Sequence, residues 1–261
     1  MTTQEPVGGT FDFGRVIQRT FTVITANAML FGVGALVLVS APVLLGALIG
    51  LPSLGDPRYI GWIAAGSILS VIGNLVLQGM VARAAVGTLN GASVAPGEAF
   101  SSGLRVLLPL IGLAIVSALG IWLGFLLLIV PGIIVSIMWS VAAPSLVVEK
   151  KGVFASLQRS RDLTRGHRWA IFGLFIVYMI LSLILSVVTQ AIGAPLGVAS
   201  GNMFGIQGLN MSAGLIVFVV VSAVMNGVQA VVGSAGVAAL YYELRTTKEG
   251  AAPDETAAIF D

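Results

Sequence analysis

The chain has 261 residues, 57% of them apolar and 9% charged, with a mean hydropathy of +1.03 and a formal net charge of +2. A soluble domain carries about 25% charged residues, so this composition excludes that class and leaves a polytopic membrane protein. The basic balance does not point to nucleic acid, because the cations gather on one side of the predicted membrane. The absence of cysteine excludes disulfides, thiolate metal sites, thiol nucleophiles and cysteine-borne lipid anchors.

The first predicted element is an amphipathic helix over residues 11–25. Phe13, Ile17, Phe21 and Ile24 fall on one face at helical spacing, while Asp12, Arg15, Arg19 and Thr22 fall elsewhere. Such a helix lies in the membrane interface rather than across it. Six apolar segments follow, at residues 28–51, 60–82, 106–130, 133–148, 169–192 and 213–242, each near or above the ~20 residues that cross a bilayer. The first is longer than the apolar stretch of a signal peptide and reads as a retained span. The third and fourth form one uncharged run cut by Pro131-Gly132, where a tight hairpin is expected, and the fourth carries Pro144 in its last turn. Two further interfacial helices are predicted, over 97–105 and 152–165. Phe and Arg recur in all three interfacial segments, each ahead of a pair of spans, which suggests three units of one interfacial helix plus one hairpin. Residues 1–246 are expected to form a single six-helix membrane domain and 247–261 a disordered cytoplasmic tail.

Sidedness follows from Lys and Arg. Arg15, Arg19, Arg83, Arg105, Lys150, Lys151, Arg159, Arg161, Arg165, Arg168, Arg245 and Lys248 all fall in alternate connections or at the ends, and the opposite side carries only Arg58. The positive-inside rule then places both termini in the cytoplasm. The fold class expected is all-α: six transmembrane helices in three hairpins, each preceded by an interfacial helix, with both ends inside.

Chemistry is sparse. No span contains Asp, Glu, His, Lys or Arg, the groups that usually carry coupling charge in ion-driven transporters. The polar groups at depth include Asn74 and Gln78 in the second span and Asn226 and Gln229 in the sixth. Each pair lies one turn apart, placed either to line a polar cavity or to make interhelical hydrogen bonds worth roughly 0.6–2 kcal/mol. Gly46/Gly50 and Gly120/Gly124 are small-xxx-small pairs that read as packing within the chain. The 193–212 connection, with its Pro195 and recurrent glycine, is either a re-entrant element or a flexible cap. His167 is the lone histidine and reads as a solvated loop residue. Without a second histidine or a cysteine it completes neither a metal site nor a nucleophile–base pair. No catalytic residues, metal or cofactor are therefore expected. The loop from Glu149 to Arg168 is the one suggestive region. Lys150, Lys151, Arg159, Arg161, Arg165 and Arg168 are candidate ligands for anionic headgroups, with Val153, Phe154, Leu157 and Leu163 dipping into the interface.

This loop, from Pro144-Ser-Leu-Val-Val-Glu-Lys-Lys-Gly through Arg165-Gly-His-Arg-Trp, together with Tyr241-Tyr-Glu-Leu-Arg near the end, resembles the bacterial membrane domain attached to some glycerophosphoryl diester phosphodiesterases. It is similar also to the YciC-type six-span proteins. The resemblance implies a bacterial inner-membrane protein linked to phospholipid or envelope metabolism. It carries over no catalytic residue, because a phosphodiesterase barrel needs more than roughly 200 further residues and clustered Glu, Asp and His. The expected role is a non-enzymatic inner-membrane protein that assists lipid or envelope processes through its basic cytoplasmic face. Its expected partners are anionic membrane lipids and a membrane or cytoplasmic protein, not nucleic acid. The alternatives are a permease for a neutral or lipid-like substrate and a membrane-embedded lipid enzyme.

Overall fold

The structure is a computed structural model that describes residues 11–50, 56–193 and 213–250. The described residues are helical throughout: α1 (Phe13–Ala26), α2 (Ala28–Ala35), a π-helical turn (Leu36–Ser40), α3 (Ala41–Gly50), α4 (Pro57–Leu89), α5 (Pro96–Arg105), α6 (Leu107–Leu127), α7 (Ile129–Met138), α8 (Ala142–Glu149), α9 (Val153–Thr164), α10 (Arg168–Gly193) and α11 (Ala213–Glu249). Six stretches are long and apolar enough to cross a membrane: Ala28–Gly50, Pro57–Leu89, Leu107–Leu127, Ile129–Glu149, Arg168–Gly193 and Ile216–Glu249. The 33 residues of α4 make a rod of about 50 Å, well beyond the ~30 Å hydrocarbon core, so its end continues into polar surroundings at Arg83.

The chain forms two compact units. One comprises Met1–Asn27, Gln78–Leu174 and Ser234–Asp261, and the other Ala28–Leu77 and Phe175–Gly233. The second unit carries Asp56 and Arg58 and no other charged side chain. Its packing follows from one proline. Pro42 has no N–H to offer the Leu38 carbonyl, and its ring crowds that oxygen, so the helix widens into the π turn just before it. Carbonyls around this turn meet α4. Ser70 Oγ donates to the Val39 oxygen at 2.8 Å, and the Leu38 oxygen lies so close to α4 that a Cβ on Gly73 would sit 1.8 Å from it. Ser40 Oγ in turn donates to the Ala223 carbonyl of α11 at 2.7 Å. Gly46 meets Gly66 with a Cβ-to-Cα approach of 3.0 Å, and Gly50 lies on the Tyr59 ring, so this small-residue pair packs within the chain.

In the first unit α1 is capped by Asp12, whose Oδ1 accepts from the Gly14 and Arg15 amides at 2.7 and 3.2 Å. The stripe it buries in protein is Val16 and Val23, while Phe21, on the face expected to meet the interface, is 65% exposed. The reason lies on α11. The buried carboxylate of Glu243 accepts from Arg15 Nε at 2.9 Å, Arg19 at 2.5 Å and the Asp12 amide at 3.2 Å, which turns that side of α1 inward. The Arg19 guanidinium also stands 4.8 Å over the Tyr242 ring. Around them a core of Ile137, Val141, Leu163, Ile171, Leu240, Tyr241 and Leu244 closes.

Two sequence expectations shift. The third apolar run breaks at Leu128, which is extended, rather than at Pro131-Gly132. Pro131 instead occupies the first turn of α7, where a missing N–H costs nothing. Gly124 and Gly132 then meet, their backbones too close for a Cβ between them. Residues 247–249, expected in the tail, belong to α11, which is held there by Arg159–Glu249 and Arg245–Glu249 pairs and by Lys248 donating to the Asp162 carbonyl. The rest of the tail and the 193–212 connection lie outside the described residues, apart from Gly193 at the end of α10.

Candidate functional site: an arginine-lined groove

Pro144 sets up the site. It sits in the first turn of α8, where continuing the α7 helix would drive its ring into the Ser140 carbonyl, so the apolar stretch breaks between Met138 and Ala142. A broken helix inside an apolar region leaves backbone groups unsatisfied, at a cost of several kcal/mol each if left so. Here α9 supplies the partners. Ser156, Ser160 and Thr164 recur every fourth residue along its buried side. Ser160 Oγ donates to the Met138 carbonyl at 2.8 Å and accepts from the Val141 amide at 3.2 Å, and Ser145 Oγ on α8 donates to the Ser156 carbonyl at 3.3 Å. This hydroxyl stripe, with Leu163, faces protein, and Leu157 sits at its edge, buried but lining the groove. Leu157 and Leu163 are thus core residues at 6% and 1% exposure, not membrane-dipping ones, whereas Phe154 is 75% exposed.

With that side of α9 fixed, the opposite stripe opens onto a cavity of about 850 Å³. Phe154, Gln158, Arg161, Asp162 and Arg165 follow one another there at helical spacing, and Arg168 closes the end at the start of α10. The facing wall is apolar: Val116 from α6, with Met138 and Trp139 from the break. Gly120 makes room for that wall, since a Cβ there would lie 2.2 Å from the Trp139 ring. Among the described residues, Arg161, Arg165 and Arg168 have no carboxylate within ion-pair distance, and the Arg168 Nε is buried without a hydrogen-bond partner.

The six basic candidates of this loop therefore divide. Arg161, Arg165 and Arg168 line the groove; Lys150, Lys151 and Arg159 do not. Lys151 pairs with Glu149 at 2.6 Å, and Lys150 takes the left-handed cap after α8 (φ 51°). Arg159 is clamped by Glu149 at 2.8 Å and by Glu249, while Tyr241 donates to the same Glu149 oxygen at 2.9 Å. Burial opposes the Arg159 charge, but these carboxylates outweigh it and push its pKa above the ordinary arginine value. His167 is half-buried against Phe11, ring centroids 5.3 Å apart, rather than solvated. Burial, reinforced by the Lys248 charge, pulls it below the usual imidazole range.

None of Asn74, Gln78, Asn226 and Gln229 lines this groove. Asn74 and Gln78 are half-buried and Asn226 is exposed. Gln229 Nε2 donates to the Ser182 carbonyl at 3.4 Å, an interhelical bond from α11 to α10. No group of three or more potential metal ligands occurs among the described residues.

Sequence reasoning named Glu149, Tyr241 and Glu243 but gave none of them a partner, because each sits at the fringe of an apolar run. It also missed the hydroxyl stripe of α9. The four-residue recurrence of Ser156, Ser160 and Thr164 was the available signal.

Six long apolar helices with charges gathered at their ends define an integral membrane protein. Residues 54–244 match the model of a family described as a domain of unknown function, DUF7847, and the chain belongs to that family. It is also similar to a UPF0259 membrane protein of Pectobacterium carotovorum subsp. carotovorum, 28% identical over 134 residues. That match covers 51% of this chain and 54% of the relative, so the chain spans about half its length. No solved structure matches.

Proposed function

We propose that the chain is a non-enzymatic protein of the bacterial cytoplasmic membrane, both ends inside, that assists or organises phospholipid and envelope processes by holding anionic lipid at its basic face. The observation that carries this reading is the groove itself, where Arg161, Arg165 and Arg168 have no carboxylate partner among the described residues and stand beside an apolar wall. A cationic rim next to apolar surface is what a lipid headgroup and its first methylenes require. Trp169, 84% exposed beside Arg168, suits the interfacial position that tryptophan favours. Orientation rests on the charge asymmetry, twelve cations against Arg58. The resemblance of the Pro144 to Trp169 stretch to the phosphodiesterase-linked membrane domain and YciC-type proteins supports the tie to phospholipid metabolism.

The experiment is lipid analysis of protein purified in mild detergent from bacterial membranes. Phosphatidylglycerol and cardiolipin should be enriched over phosphatidylethanolamine relative to the membrane of origin. Retention in the membrane's own proportions would refute the reading.

A further inference from the structure

Resting on that reading, the geometry points to something narrower than a basic face: a one-molecule site in which Arg161, Arg165 and Arg168 hold the phosphodiester of a single phosphatidylglycerol, with its chain over Val116 and Trp139. A diffuse electrostatic surface needs only exposed cations, and Lys150 and Arg105 would serve it equally. The groove offers more. Arg161 lies in the last turn of α9, Arg165 caps that helix, and Arg168 opens the next one, so three planar guanidinium forks line one cavity. The forks match phosphate oxygens in a way that single ammonium charges do not. Arg168 Nε is buried with no hydrogen-bond partner among the described residues, so protein groups do not saturate this guanidinium.

The apolar side is built as well. The Pro144 break turns Trp139 out of the helix path, Gly120 gives it a seat, and Val116 extends the same wall. A free phosphate would leave that wall wet, whereas an acyl-glycerol covers it. Asp162 adds one acceptor to the α9 stripe, which the hydroxyls of a glycerol headgroup satisfy. Three arginines against one aspartate leave the groove cationic, which favours a lipid of net charge −1 over a zwitterion.

Native mass spectrometry of the delipidated full chain in detergent tests this, with phosphatidylglycerol, phosphatidylethanolamine and the chain-free glycerol 3-phosphate as probes. One phosphatidylglycerol should bind, well ahead of phosphatidylethanolamine, and glycerol 3-phosphate should not be retained. R161Q/R165Q should weaken phosphatidylglycerol about thirtyfold at low salt. Val116→Trp, which fills the apolar wall without touching a charge, should weaken it about tenfold, and R105Q and K150Q should leave it within twofold. Circular dichroism and monodispersity confirm that each variant is folded. Equal losses for R105Q, K150Q and R161Q/R165Q would overturn the discrete site and leave the basic-face reading standing. Failure of the wild-type chain to prefer anionic lipid at all would sink both. Retention of glycerol 3-phosphate as tight as that of the lipid would overturn the lipid assignment in favour of a soluble phosphoester.

Discussion

Glu243 and Glu98 each meet arginine, yet removing their charges should have very different consequences. Glu243 is 1% exposed and bridges Arg15, 43% exposed, and Arg19, 23% exposed. Glu98 and Arg83 are 49% and 47% exposed. An exposed pair contributes about 0–1 kcal/mol, because water solvates either partner alone, so Glu98→Gln should be nearly silent. Breaking a buried pair costs roughly 3–5 kcal/mol when the survivor stays buried. After Glu243→Gln the survivors are two arginines that reach water in part, which brings the expected loss to about 2–3 kcal/mol. R15Q/R19Q is the harsher change, since it strands a carboxylate that cannot reach solvent, and it should cost at least as much as the full buried-pair figure. Unfolding in mixed micelles by SDS titration gives the ordering, and hydrogen exchange of the α1 amides tells whether the loss begins there. Glu98→Gln as damaging as Glu243→Gln, or R15Q/R19Q milder than Glu243→Gln, would refute the reasoning.

Gly73→Ala should cost more than the roughly 1–3 kcal/mol of ordinary overpacking, because the new methyl meets a backbone carbonyl at 1.8 Å, while Gly32→Ala, with nothing within 4 Å, should be neutral or slightly stabilising; thermal unfolding in detergent compares them. His167 has its folded pKa depressed, so its neutral form contributes stability that is complete above the unfolded value of about 6.5 and is lost as pH falls through the lower folded value. A pH series of midpoints should therefore decline on the acidic side, and His167→Gln should flatten that decline. A single cysteine replacing Arg58 should react with an impermeant thiol reagent added to intact cells, and one replacing the exposed Ala155 should react only after lysis; the reverse pattern would invert the topology.

Much of the fold was legible because apolar length and charge position act over whole segments. The six long apolar segments reappear as helices, the second and sixth running seven residues past their expected ends, and helices also occupy the segments near 11–25, 97–105 and 152–165. What stayed hidden depends on which side of a helix meets protein. On α1 the pattern of Phe13, Ile17, Phe21 and Ile24 is genuine, but the buried stripe is chosen by Glu243, more than 200 residues away in sequence. On α9 a reading that equates apolar with membrane-facing assigns Leu163 outward. The hydroxyls at 156, 160 and 164 turn it inward, because they answer a helix break that only Pro144 hints at. The groove was half visible: its arginines stood out as a basic run, but periodicity alone could not separate Arg161, Arg165 and Arg168 from Arg159, which Glu149 and Glu249 hold.

The most direct measurement is an experimental structure of the full chain in nanodiscs containing phosphatidylglycerol. It should show phosphate density within hydrogen-bond reach of Arg161, Arg165 and Arg168, with a chain continuing over Val116 and Trp139. A groove closed by its own side chains, with Arg168 Nε bonded to protein, would contradict the account.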